Sequence, residues 1–411
     1  MIALSRIDRL ITVSRTGAIY HDEMERDLDE ILRRLRPARA RIDLDRLAAN
    51  YGALQKLVPV PVMPVVKADA YGHGALPVAR RLLAAGAPLL AVAYVEEAIA
   101  LREEGLSVPI VVLAAFGPGQ ERLLRKHDLT PVVSTPSTLE GVLAPSREGR
   151  RPLKVHLKID TGMSRLGFDR DGFLAAAQRL QGAEGVELEG VMTHLASADE
   201  DEEVTRRQLD RFDDAVAELA KRGIRPRYVH ACNSAGLGQV RGTHTLVRPG
   251  LLLYGLRPQP LSPRVDVRPV MTVSADIALI KTVAEGTPVS YGGRWVAPRP
   301  SRLGTVPIGY ADGVPRTAGM RDQGHFVVRG GRVPVRGTVC MDLVMVDLTE
   351  RPEVNEGDEA VLFGDAPDAW QVSEWAGTNA WEVVTRIGPR VPRVYVEQGR
   401  VTAVQSPFVR A

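Results

Sequence analysis

The sequence predicts an α/β chain: a (β/α)8 barrel of the TIM type followed by a smaller C-terminal β domain. Three observations carry this. Between residues 62 and 248, eight short apolar runs alternate with helical stretches, the pattern of a parallel sheet that closes on itself. After about Val270 the chain changes to short alternating runs divided by Gly/Pro turns, such as Met271–Ala275, His325–Val328 and Val344–Leu348, which reads as β structure. The length of 411 residues, 45% of them hydrophobic, suits one large and one smaller domain. A doubly wound sheet is the competing arrangement for the first part. The segments are drawn as an N-terminal extension (1–36), a barrel (37–270) and a β domain (271–411).

In residues 1–36, Met24, Leu28, Ile31, Leu32 and Leu35 keep helical spacing among many charges, and Pro37 ends the pattern. The helix either packs on its own subunit or serves docking or oligomerisation. The expected barrel strands are Val62–Lys67, Leu89–Ala93, Pro109–Leu113, Thr130–Val133, Leu153–Ile159, Leu188–His194, Tyr228–Ala231 and Leu246–Arg248. Among the helices between them, the stripe Leu209, Phe212, Val216 and Leu219 is the clearest; Lys221, Arg222 and Gly223 close it.

Net charge is +3, too small to call for nucleic acid or a membrane surface. No apolar run reaches transmembrane length, and Arg6, Asp8 and Arg9 interrupt any signal-peptide core. Cys232 and Cys340 follow no metal spacing. Reduced thiols and a cytosolic protein are expected.

The first strand ends on Lys67, followed at once by Ala68-Asp69-Ala70-Tyr71-Gly72-His73-Gly74. A buried ammonium is costly. Such a lysine either lowers its pKa and acts as an amine nucleophile toward a carbonyl, or snorkels to solvent. Tyr71 lies four residues on, and Gly72 and Gly74 are expected to admit a ligand close to backbone. The string VVKADAYGHG resembles the segment of bacterial alanine racemases in which the lysine holds pyridoxal phosphate (PLP) as a Schiff base. The resemblance runs from Arg41 over nearly all the remaining chain.

In a barrel, phosphate is often held after strands seven and eight. Those positions carry His230-Ala231-Cys232-Asn233-Ser234-Ala235-Gly236 and Arg248-Pro249-Gly250-Leu251, offering the Ser234 hydroxyl and the Gly250 and Leu251 amides. The resemblance adds Tyr71 to this phosphate set. It places Arg248 at the pyridine nitrogen and His194 stacked on the cofactor ring. Without it, Arg248 reads equally as an ordinary ion pair and His194 as structural. In Lys158-Ile159-Asp160-Thr161-Gly162-Met163-Ser164-Arg165, Arg165 suits a substrate carboxylate. The resemblance implies that Lys158 is carbamylated and orients that arginine; an unmodified, paired lysine is the alternative.

Racemisation needs a base on each face of a planar Cα. The resemblance makes Lys67 one and Tyr291, in Val289-Ser290-Tyr291-Gly292-Gly293, the other. It also implies a homodimer, with Tyr291 and the Met341 amide lent to the partner's site and Tyr310 at its mouth. Where the family carries a tyrosine near the C-terminus, this chain has Trp381, whose indole N–H lies elsewhere. The implied activity is PLP-dependent interconversion of L- and D-alanine, supplying D-alanine for peptidoglycan. Alternatives are a racemase of another small amino acid such as serine, a non-catalytic PLP-binding protein, or a PLP decarboxylase. The last would be expected to set a carboxylate against the ring nitrogen, where Arg248 stands.

Overall fold

The apolar runs of the sequence become the staves of a closed ring. The computed structural model describes residues 11–13, 18–21, 35–144, 151–238, 242, 244–260, 264–319 and 323–408. The helix expected over Asp22–Leu35 lies, except for its last residue, outside them. Two compact units result. One comprises Leu47–Ala70 and Ala75–Val267. The other holds the described residues up to Arg46, Tyr71–Gly74 and the chain from Arg268 onward.

The first unit is the barrel. Leu90–Val92, Ile110–Val112, Thr130–Val133, Leu153–Lys158, Val186–Met192 and Tyr228–His230 pair in sequence order, all parallel. Residues 62–66 close the ring through parallel bridges from Val62 to Val247 and from Val65 to Ala91. The eighth stave is tied to the seventh by Thr245 N–H to the Val229 carbonyl and Arg248 N–H to the Cys232 carbonyl, both at 3.0 Å. Among the described residues, this closure pairs both edges of the six-stranded parallel sheet. Leu90–Val92 and Ile110–Val112 are buried throughout, as strands between barrel filling and outer helices must be.

α-Helices follow the first six staves: Ala75–Ala84, Val95–Glu103, Gln120–Lys126, Pro136–Leu143, Arg170–Gln181 and Glu202–Lys221. In the last, the Asp201 carboxylate caps Val204 N–H, and Leu209, Phe212 and Leu219 are buried. Ala215, not Val216, completes the buried stripe. Burial of the Phe212 ring contributes roughly 2–3 kcal/mol. After staves seven and eight the α-helix is replaced by short 3-10 turns, Ala235–Gly238 and Leu251–Tyr254. Those stretches carry no long amphipathic pattern, and their backbone stays available at the strand ends.

The second unit is built on a nine-stranded sheet. Its order is Ile11–Val13, Ala18–His21, Arg400–Gln405, Arg393–Glu397, Ala38–Asp43, Met271–Asp276, Glu359–Phe363, His325–Val328, Gly331–Pro334. Ile42, Phe326, Phe363 and Tyr395 are fully buried. A second sheet joins Leu279–Val283, Ser301–Val306 and Val344–Asp347. This division differs from the segments drawn on the sequence. Ala38–Asp43 pairs with Met271–Asp276 and Arg393–Glu397 and so belongs to the β unit. Its alternating burial is that of a half-buried strand. The N-terminal stretch also supplies two strands, the inner one paired to Arg400–Gln405.

Candidate active site

Lys67 opens a single helical turn, Lys67–Gly72, wound with the left hand. Ala68, Asp69, Ala70 and Tyr71 have φ of 53°, 52°, 54° and 54°. Left-handed backbone costs about 1–2 kcal/mol per L-residue, and none of the four is glycine. Specific bonds hold the turn. Ala70 N–H donates to the Val66 carbonyl at 2.9 Å, and Ala75 N–H to the Asp69 carboxylate at 2.7 Å. The Glu97 carboxylate accepts from Ala68 N–H at 2.6 Å, Ala93 N–H at 2.7 Å and Tyr94 N–H at 3.0 Å. Strain of this kind is kept where it sets a side chain, and here the side chain is the lysine.

The two glycines of the motif do something other than expected. Gly72 has φ of +79°, and a Cβ there would lie 2.6 Å from the Val384 carbonyl oxygen. At Gly74 a Cβ would run into the Tyr395 hydroxyl. Arg393 Nε donates to the Gly72 carbonyl at 3.1 Å. Both glycines therefore make room for the C-terminal part of the β unit's own chain rather than for a ligand.

In the barrel unit the cationic residues singled out in the sequence lie within electrostatic reach of one another. Burial, and then the Arg165 guanidinium, lowers the pKa of the Lys67 amine, with Glu97 opposing. Lys158 ends its strand with 3% exposure. Burial first, then Arg165 and Arg248, brings its amine down to about 8. His194, two residues beyond its strand, is held well below the usual histidine range by burial and by Arg248, Lys158, Arg165 and Lys67. It is neutral near pH 7 and can present a ring face. Arg165 is exposed, on a loop that folds back on Asp160, whose carboxylate accepts from Gly162 and Met163 N–H at 2.9 and 2.8 Å.

Arg248 is 3% exposed. Its guanidinium donates to His230 Nδ1 at 2.7 Å and to the Thr193 and Ala231 carbonyls, each at 2.9 Å. Burial lowers its pKa to about 10, so it remains charged at neutral pH. Among the described residues its hydrogen-bond partners are an imidazole and two carbonyls, and none is a carboxylate. Ser234 is buried, and its hydroxyl accepts from Gly250 N–H at 3.0 Å and Leu252 N–H at 3.3 Å. The Leu252 amide joins a cradle for which the sequence reading named only Gly250 and Leu251.

In the β unit, Tyr71 has its phenol pushed up to about 12 by burial, so it keeps its proton as a donor. Tyr291 and Met341 are 74% and 52% exposed. Both line a groove of about 680 Å³ together with Ser290, Cys340, Leu343 and Met345. The Tyr291 loop is pinned: Ser290, at φ 65°, donates from Oγ to the Thr338 carbonyl at 2.6 Å, and Thr338 Oγ1 to the Tyr291 carbonyl at 2.9 Å. Tyr310, 40% exposed, sends its N–H to the Cys340 carbonyl at 3.0 Å. Beneath it the fully buried Asp312 accepts from Arg36 at 2.6 Å, Arg390 at 2.7 Å and Gly309 N–H at 2.9 Å. Trp381 does not line the groove; it stands edge-on to Trp370, with ring centroids 5.7 Å apart.

The sequence reading missed the supports: Glu97 under the turn, Arg36 and Arg390 on Asp312, and His156 and His230 behind Arg248. Only His156 and His230 left a trace in sequence, as histidines inside apolar strand runs.

Comparison with known proteins covers both halves of the chain. The family model "Alanine racemase, N-terminal domain" matches residues 42–258, and "Alanine racemase, C-terminal domain" matches residues 270–395. An alanine racemase of Halothermothrix orenii is 42% identical over 369 residues, 88% of this chain and 97% of that protein. One of Thermobifida fusca is 42% identical over 87% of this chain and 98% of its own length. The solved alanine racemase of Streptomyces coelicolor A3(2) is 41% identical, with a TM-score of 0.83 over 90% of this chain and all of that one. With both halves matched in order, and a relative covered over 97% of its own length, this chain belongs to the alanine racemase family.

Proposed function

We propose that this protein is a PLP-dependent alanine racemase, a homodimer of the cytoplasm that supplies D-alanine for peptidoglycan. The observation that carries the reading is a pair of groups in the barrel unit. One is a strand-end amine, Lys67, with a lowered pKa. The other is a buried guanidinium, Arg248, fixed by an imidazole and two carbonyls. The donor set fits the cofactor: an amine for its aldehyde, and a hydroxyl with converging N–H groups for its phosphate.

Bound PLP supplies an electron-withdrawing ring that acidifies the Cα–H of an attached amino acid. In this reading Lys67 holds the cofactor, and Tyr71, Ser234, Gly250 and Leu251 hold its phosphate. His194 covers the ring face. A guanidinium does not give up its proton, so Arg248 leaves the ring nitrogen unprotonated and the ring a weaker electron sink. That favours quick return of the proton to Cα over side reactions. Arg165 grips the substrate carboxylate with its planar fork, helped by the Met341 amide of a second copy. Lys158, as an anionic carbamate, would orient Arg165 and offset the local excess of cations. Lys67 and Tyr291 move the Cα proton on opposite faces. Tyr310 narrows access.

The test is a racemisation assay of the purified protein with alanine, serine and larger amino acids, with and without added PLP. Alanine should be interconverted fastest, and removing PLP should abolish turnover. Faster turnover of serine, or turnover independent of PLP, overturns the reading.

A further inference from the structure

Behind Arg248 a file of polar side chains runs through the barrel interior, and the activity proposed above uses only its last member. Lys154 Nζ lies 2.7 Å from Glu189 Oε1. Glu189 Oε2 lies 3.6 Å from His156 Nε2. His156 Nδ1 is 2.9 Å from His230 Nε2, and His230 Nδ1 is 2.7 Å from an Arg248 Nη1. His156 and His230 have no solvent exposure, and Glu189 has 6%. Lys154, by contrast, has 43% of its side chain exposed. Gly190 makes the room: a Cβ there would lie 2.8 Å from the His156 ring.

The protons in this file can be assigned from one end. A guanidinium N–H only donates, so His230 Nδ1 must accept. His230 then carries its proton on Nε2 and donates it to His156 Nδ1. His156 in turn carries its proton on Nε2, which faces the Glu189 carboxylate. Both rings must be neutral for this to hold, and burial lowers the pKa of both. At 3.6 Å the last approach is long for a hydrogen bond, and His156 Nε2 is a buried nitrogen with no other partner. Glu189 is thus the group toward which the whole file points.

We propose that Glu189 is a positioning residue for Arg248: through His156 and His230 it fixes one tautomer of each ring and so holds the guanidinium in place for the cofactor's ring nitrogen. This rests on the reading of Arg248 as the partner of that nitrogen. A file whose donors and acceptors are fixed at both ends has one arrangement; cut at the carboxylate, each imidazole can reverse. Reversal at His230 would point an N–H at the guanidinium and push it away.

The experiment compares the full-length protein with Glu189→Leu, Glu189→Gln and the rim control Glu187→Gln. Histidine ring 15N spectra give the tautomers with and without PLP, and the visible absorption of the PLP-loaded protein reports the ring's surroundings. In the wild type and Glu187→Gln, His156 and His230 should both be neutral Nε2–H tautomers. Glu189→Leu should mix the tautomers of both rings, shift the cofactor band and lower kcat roughly tenfold, as loss of an outer hydrogen-bond partner commonly does, with KM for alanine little changed. Glu189→Gln keeps an acceptor without the charge and should keep the tautomers while losing less activity. If Glu189→Leu does not fold, Glu189→Ala takes its place, with the same expected mixing of tautomers and shift of the band. Unchanged tautomers and an unchanged band in whichever of these two variants folds overturn it. Arg248→Lys separates the two ideas. If it shifts the band and Glu189→Leu does not, the positioning role alone is wrong. If it leaves the band unmoved, the reading of Arg248 itself fails.

Discussion

At the scale of single residues, the barrel site is defined by cations without enough anions. Lys67, Lys158, Arg165 and Arg248 act on one another, and Lys158 shows the consequence most directly. Its amine titrates at about 8 in the folded chain, against 10.5 for an ordinary lysine. Between those values the unfolded chain binds more protons than the folded one, so stability rises with pH across that window. Buried phenols such as Tyr71, raised to about 12, act in the opposite sense above pH 10. The clean interval is therefore about 8 to 10. Urea midpoints of CO2-free protein should rise over it, and Lys158→Met should flatten the rise. An equal slope in the variant would remove Lys158 as its source. A lysine that is largely neutral above pH 8 is also a good nucleophile for CO2. Accordingly, 13C-bicarbonate should give a carbamate signal that Lys158→Met lacks. The types and order of these residues were readable in the sequence, because a strand-end lysine or arginine stands out in an apolar run. Their pKa directions were not, because those follow from distances across different strands.

At the scale of elements, the left-handed turn after Lys67 is the least expected feature. Alanine and tyrosine give no local signal for positive φ and a single aspartate only a weak one, so sequence propensity predicted only a tight turn. The glycines that did signal freedom, Gly72 and Gly74, are required by neighbouring chain in the β unit. The strain is testable at Ala68, whose side chain is exposed. Ala68→Gly removes about 1–2 kcal/mol of left-handed strain and adds about 0.5–1 kcal/mol of unfolded-chain entropy. Urea unfolding should show a gain of up to about 1.5 kcal/mol, where glycine for alanine in an ordinary helix destabilises. A loss of stability would mean that the turn is unstrained in solution. The eight barrel strands were legible because strands buried on both faces read as continuous apolar runs. Ala18–His21 and Ala38–Asp43 were not, since they pair with strands hundreds of residues away, and the half-buried pattern of Ala38–Asp43 is weak over six residues.

At the scale of the whole molecule, the question is how an exposed Tyr291 serves chemistry at Lys67. Tyr291 sits on a pinned loop with 74% exposure, an address suited to a side chain lent to a second copy. Mixing Lys67→Ala with Tyr291→Phe subunits should then restore activity, because a hybrid dimer has one site carrying both defects and one carrying neither. Verified hybrids without recovery would rule out shared sites. The sharper prediction concerns the division of labour. If the two bases face opposite sides of Cα, they handle different enantiomers, and the family resemblance assigns the lysine to D-alanine and the tyrosine to L-alanine. Tyr291→Ala should cripple racemisation in both directions, since every turnover removes a proton on one face and delivers one on the other. Exchange of the Cα proton with solvent needs only one base. D-alanine should therefore keep much of its exchange through Lys67, while L-alanine loses about 10²–10⁴-fold, the usual cost of a missing general base. Deuterium wash-in followed by NMR on each enantiomer measures the asymmetry. Equal residual exchange for the two would mean that a single base reaches both faces, and the assignment of Tyr291 would have to be given up.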